Sequence, residues 1–85
     1  MAIPAKCSEN FLETELDGEI LLVDLEGGQL MSMTGTARAI WQLIDGTRSE
    51  EDIVSALLDR YRGVSRKEVS AFLDDLERSD IVVRG

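Results

Sequence analysis

The chain has no histidine. That absence removes the commonest general base and the commonest transition-metal ligand. Its single cysteine, Cys7, can close no internal disulfide, makes no zinc site, and has no imidazole to activate it. Cys7 reads as a small residue in an N-terminal arm. Long apolar runs are missing too: the longest, residues 20–23, is four residues, against the roughly 20 that span a bilayer. The segment from Met1 to Pro4 is too short for a signal peptide, so the expected location is cytoplasmic. Bases are scarce, with 9 Lys and Arg against 17 Asp and Glu, for a net charge of −8. A duplex-binding protein gains affinity by neutralising phosphates, and this chain repels that polyanion. Neither nucleic acid nor a membrane is an expected partner. No catalytic residue, metal site or cofactor is expected either.

What remains is an ordinary globular balance, 44% apolar and 31% charged over 85 residues. Such a chain buries about 60–65% of its unfolded surface, so one domain, residues 1–85, is expected around one cluster. Charge is unevenly placed. Residues 1–33 carry seven acids (Glu9, Glu13, Glu15, Asp17, Glu19, Asp24, Glu26) against one base, Lys6. Residues 34–85 carry ten acids against eight bases. The two regions read as different layers, with no repeat or linker between them.

The first layer reads as strands. Phe11–Leu16 partly alternates and stops at Asp17-Gly18, a two-residue hairpin signal. Glu19–Asp24 is rich in Ile, Leu and Val and halts near Glu26-Gly27-Gly28, and residues 29–33 follow as a third strand. The result is a three-stranded antiparallel meander. Ile20, Leu21, Leu22 and Val23 offer apolar side chains to both faces, as a central strand covered on both sides would.

Three helices follow, each with a start signal. Thr34 is placed to cap a helix with Ala37, Ile40, Trp41 and Ile44 on one face, ended by Asp45-Gly46. Ser49-Glu50-Glu51-Asp52 resembles a capping box, with acids on the positive end of the helix dipole. Ile53, Leu57 and Tyr61, with Val54 and Leu58, form the expected buried stripe of that helix, and Gly63 stops it. Ser65-Arg66-Lys67-Glu68 is a capping box by pattern, leading into Val69, Phe72, Leu73 and Leu76. Ser79-Asp80 closes the helix, and Ile81-Val82-Val83 is an apolar tail expected to pack on the core. The order is βββααα, an α+β fold.

None of these features alone names a function. Apolar stripes are core, Trp41 included. Acidic runs such as Glu50-Glu51-Asp52 and Asp74-Asp75 read as solvated faces rather than metal sites. Gly27-Gly28 precedes a strand rather than a helix, so it is no phosphate loop.

Taken together, four segments resemble the PqqD family. They are Leu22-Val23-Asp24-Leu25-Glu26-Gly27-Gly28, Met33-Thr34-Gly35-Thr36-Ala37, Ile40-Trp41-Gln42-Leu43-Ile44-Asp45-Gly46 and Ser49-Glu50-Glu51-Asp52-Ile53. Phe72-Leu73-Asp74-Asp75-Leu76 fits the family's last helix, so the resemblance covers about residues 11–83. It implies a winged helix-turn-helix-like domain that does not read DNA. It also implies a stand-alone recognition element for the leader region of a ribosomally made precursor peptide, presenting that peptide to a modifying enzyme or leader peptidase. Family members dock the leader as an extra strand beside the third β-strand and against the third helix. On this chain those elements carry Gln29, Leu30, Met31, Ser32, Met33 and Thr34, then Val69, Phe72, Leu73 and Leu76. Thr34 stands where Asn is frequent in the family, and Asp24-Leu25-Glu26 replaces a Pro-Glu common in quinone-pathway members. That substitution favours another peptide pathway, such as a lasso-peptide system.

An uncovered sheet edge is a template for an added strand, where main-chain bonds give affinity and side-chain pockets give specificity. Met31 and Met33 alternate onto one face, either as adaptable pocket or as core. Arg66 and Lys67, the one adjacent pair of bases, are expected to meet an acidic leader residue or to be solvated. Met31→Pro is expected to weaken binding if the Met31 N–H faces the peptide. Two other readings share the fold: an adaptor for a folded partner, and a winged-helix DNA regulator. The last helix argues against the regulator, with Glu68, Asp74, Asp75 and Glu77 against Arg66, Lys67 and Arg78.

Overall fold

The computed structural model describes residues 3–84. Five strands and three helices run in the order β1 (Pro4–Lys6), β2 (Phe11–Leu16), β3 (Glu19–Asp24), β4 (Leu30–Met33), α1 (Gly35–Leu43), α2 (Glu50–Leu58), α3 (Arg66–Arg78) and β5 (Val82–Arg84). A 3-10 turn, Ser8–Asn10, links β1 to β2. The expected meander is present as an antiparallel sheet in the order β2-β3-β4, followed by the three helices. Asp17 and Gly18 both take positive φ, 48° and 81°, as the tight β2–β3 hairpin requires.

The chain ends are tied together. β1 and β5 form a second, two-stranded antiparallel sheet, with Ala5 opposite Val83. The apolar tail at residues 81–83 thus packs on the core, with Ile81 and Val82 buried, and also completes a strand pair. The Cys7 N–H donates to the Ile81 carbonyl at 2.8 Å, so the N-terminal arm is paired backbone.

The core lies between the inner face of the sheet and the three helices. Phe11, Ile20, Leu22 and Met33 enter it from the strands; Ile40, Trp41, Ile53, Leu57, Val69, Leu73 and Leu76 enter from the helices. Trp41 is fully buried, packs edge-on against Phe11 with ring centroids 5.4 Å apart, and donates from Nε1 to Glu13 Oε2 at 3.1 Å. Its indole therefore has both an apolar neighbour and a hydrogen-bond partner, as a buried Trp needs.

Four local expectations are corrected. β3 is central, but only Ile20, Leu22 and Asp24 are buried; Leu21 and Val23 stay partly open on the outer face. The helices pack on one side of the sheet, so period-two alternation leaves the other side uncovered. Thr34 stands at the N-cap of α1 in an extended conformation, yet its side chain makes no capping hydrogen bond. Tyr61 and Leu58 are exposed. Leu58, the last residue of α2, is turned about 100° from Leu57 and about 140° from Ile53, the two buried residues of the helix. Tyr61 lies beyond the helix end, although its N–H still donates to the Leu57 carbonyl at 2.7 Å. The Ser49 box is complete, with Asp52 returning to the Ser49 N–H at 3.1 Å. At Ser65, by contrast, the hydroxyl accepts from the Glu68 N–H and Glu68 makes no return bond among the described residues.

Candidate functional site

β4 is an edge strand, since its sole neighbour in the sheet is β3. Which of its backbone groups are free follows from the register. Ile20 faces Met33, Leu21 faces Ser32, Leu22 faces Met31 and Val23 faces Leu30. Just beyond, the Asp24 N–H donates to the Gln29 carbonyl at 2.9 Å. Antiparallel pairs alternate between bonded and non-bonded. The bonded pairs are therefore Asp24 with Gln29, Leu22 with Met31, and Ile20 with Met33. The N–H and C=O groups of Leu30 and Ser32 point away from β3, toward the open edge. The Met31 N–H faces β3, so the condition attached to Met31→Pro is not met.

The turn leading into β4 is organised by one carboxylate. Asp24 is buried; its Oδ1 accepts from the Glu26 N–H at 2.9 Å and its carbonyl accepts from the Gly28 N–H at 2.7 Å. A Cβ on Gly27 would sit 3.1 Å from Asp24 Oδ2, so the close approach fits glycine best. Asp24, Glu26, Gly27 and Gln29 border a shallow cleft whose other wall is Arg78, Ser79 and Asp80. The C-terminal end of α3 thus lies beside the start of β4.

α3 has two flanks. Ser70 and Asp74 lie on one, where Arg84 of β5 donates to the Ser70 carbonyl at 3.0 Å and pairs with Asp74 at 2.8 Å. Arg66 and Lys67 border a hollow on that flank with Glu50, Ser70, Ala71 and Asp74, and Arg66 forms an ion pair with Glu51 of α2. At 100° per residue, Phe72 sits well over 90° around the helix from both bases. Phe72 is half-buried against the core and shares its flank with Glu68 and Asp75, four and three residues away.

The expected site residues therefore divide. Gln29, Leu30, Ser32 and Thr34 are exposed, and Met31 and Phe72 are half-buried at the margin of the core. Met33, Val69, Leu73 and Leu76 are buried, so they form a floor and present no surface of their own. Arg66 and Lys67 stand on the other flank of α3. Glu68 and Asp75 were read in the sequence as acids of the last helix and not as neighbours of Phe72, which helical spacing makes them.

As a DNA reader, α3 would be poorly equipped. Arg66 is held by Glu51 and Arg78 by Asp75, the latter at 3.0 Å, so two of its three bases are already neutralised. Among the described residues no group of three or more acidic, Cys or His side chains is arranged to hold a metal ion, and no helix is long and apolar enough to cross a membrane.

No curated protein matches the chain. A solved structure described as TbiB1 in complex with the TbiA(beta) leader peptide is similar, with a TM-score of 0.74 and 26% identity, over 91% of this chain and 93% of that one. The family model for coenzyme PQQ synthesis protein D matches residues 19–82, from β3 into β5. With the strand, turn and helix motifs in family order and most of the chain matched, this protein belongs to the PqqD family.

Proposed function

We propose that this protein binds the leader region of a ribosomally made precursor peptide and presents it to a modifying enzyme or leader peptidase, catalysing nothing itself. The observation that supports this most is the open edge of β4, with Leu30 and Ser32 unpaired on its outer side, in a fold similar to that of TbiB1 with its leader peptide. In this reading the leader adds as an antiparallel strand along Gln29, Leu30, Met31, Ser32, Met33 and Thr34. Main-chain bonds to Leu30 and Ser32 supply affinity, and side chains entering between Met31 and the Phe72 flank of α3 supply specificity. Val69, Leu73 and Leu76 hold that flank in place from beneath. The Asp24-Leu25-Glu26 turn favours a lasso-peptide or similar pathway over the quinone pathway.

Titration of a candidate leader peptide and of duplex DNA at two ionic strengths tests the reading. Leader binding should be tight and only mildly dependent on salt, because backbone bonds and apolar pockets release few counterions. Tight duplex binding that falls steeply with salt would instead favour the regulator. Leader-induced amide shifts should centre on Leu30, Ser32 and Phe72. Shifts confined to α1 and the Asp45 loop would place the site elsewhere.

A further inference from the structure

The three-stranded sheet has an apolar outer face that nothing in the described chain covers. Alternation puts Leu12, Val23 and Leu30 in one cross-strand row, and Thr14, Leu21 and Ser32 in the next, with Leu16 beside Glu19 at the hairpin end. Leu12 is 61% exposed, Leu16 56% and Leu30 66%. A lone exposed leucine is ordinary, but the apolar row of Leu12, Val23 and Leu30, with Leu21 in the next row and Leu16 near it, is a grouping that marks an interaction surface.

The strands and turns that carry this patch hold charge of one sign. Asp17 and Glu19 bound it at the hairpin end and Glu26 at the other end, and no Lys or Arg occurs in residues 7–37. Arg78, across the cleft from Glu26, is paired with Asp75. Ser32 donates its hydroxyl to Glu19, which holds that carboxylate on the outer face. A second copy of the same face would set acid against acid in a chain of net charge −8. An anionic lipid surface would be repelled in the same way. The electrostatic complement is a surface with an apolar centre and a basic rim.

We propose that the outer face of β2-β3-β4, centred on Leu12, Leu21, Val23 and Leu30, is the docking surface for a folded partner protein of that kind. The inference rests on the leader-binding reading, in which the partner is the enzyme that acts on the precursor. A leader strand added at β4 would continue the same face, because its alternate side chains fall in line with the Leu12, Val23 and Leu30 row. The partner would then touch sheet and leader together, and the leader-bound form would be its better target. Opposite sides of one sheet thus separate the two tasks: the inner side supports the fold and the peptide groove, the outer side meets the enzyme.

The experiment uses the full chain, a candidate precursor peptide, and a candidate leader peptidase or modifying enzyme for that precursor. The variant carries Leu12→Lys with Leu16→Lys, both exposed and both remote from β4; circular dichroism verifies its fold. Leader affinity should stay within about twofold of wild type, while enzyme association falls at least about tenfold, since added bases face a basic rim. Wild-type association with the enzyme should also weaken with salt. Unchanged enzyme association in the folded variant would overturn the proposal. So would a wild-type dimer, seen by sedimentation, that the variant abolishes, because the occupant would then be a second copy. Failure of wild type to bind any leader, with enzyme association intact and sensitive to the two lysines, would remove the leader reading and leave the docking surface standing.

Discussion

The amide of Asp24 donates to the carbonyl of Gln29, and this single bond of 2.9 Å sets the phase of the β4 ladder. Because bonded pairs alternate, it turns Met31 and Met33 toward β3 and leaves Leu30 and Ser32 facing outward. Ser32→Pro therefore removes an outward N–H, which an edge strand tolerates. That variant should remain folded and lose leader binding by at least about tenfold if main-chain bonds carry the affinity. Met31→Pro removes a bond to Leu22 and should destabilise the fold by about 1–3 kcal/mol. Thermal melts and calorimetric titration separate the two effects, and a Ser32→Pro variant that binds like wild type would rule out strand addition on this edge.

Charge reversal at Arg66 and Lys67 should change leader affinity by no more than about twofold, because both lie on the Arg84 flank of α3 and an exposed pair contributes little. Phe72→Ala, on the opposite flank, should weaken binding by more than that. A titration ranking the two variants in reverse order would move the groove to the other side of the helix.

Asp24→Ala should cost about 1–3 kcal/mol, since it leaves the Glu26 N–H without its acceptor and opens the turn into β4. Gly27→Ala should be destabilising in the same assay, as its Cβ would press on Asp24 Oδ2. Equal melting temperatures for wild type and Asp24→Ala would show that the turn is held by the backbone alone.

Truncating Trp41 to Ala empties the centre of the core and should cost about 3–5 kcal/mol. Trp41→Phe should cost less, losing the Nε1 bond to Glu13 and some volume while keeping a ring against Phe11. Urea titration followed by circular dichroism measures both.

Asp45 and Lys6 each contribute a pH dependence to stability. The Thr47 N–H and hydroxyl, then the Arg48 N–H and guanidinium, hold the Asp45 carboxyl below the usual carboxylate range. The folded state thus prefers the ionised form. Its contribution is present above the unfolded pKa and is lost as pH falls through the lower, folded value. Asp45→Asn should flatten that acid limb slightly, the group being solvent-exposed. Lys6 behaves otherwise. Burial lowers its pKa, partly offset by Glu13 and Asp45, with Nζ 4.3 Å from the Trp41 ring centroid. Here the unfolded chain holds the proton more firmly, so stability should rise between the folded pKa and the ordinary lysine value. Lys6→Met should remove that rise from a set of urea midpoints measured against pH.

Local signals in the sequence determined the strand and helix order. Asp17-Gly18 required a tight hairpin because both residues take positive φ, and Ser49 and Ser65 marked helix starts because their hydroxyls accept from amides three residues on. Helical periodicity picked out Ile40, Trp41, Val69, Leu73 and Leu76 as core. The motifs in order carried the family, and with it the strand and helix where a leader is expected. Tertiary structure decided what those residues can reach. Pro4–Lys6 gave no strand signal, and it became one only by meeting Val82–Arg84 from the far end of the chain. The free backbone groups on β4 depend on pairing phase, which side-chain pattern does not encode. The side of α3 on which Arg66 lies depends on where Glu51 and Arg84 come to rest. Whether Leu21 and Val23 are covered depended on all three helices packing against one face, a choice made by the whole assembly and not by any strand.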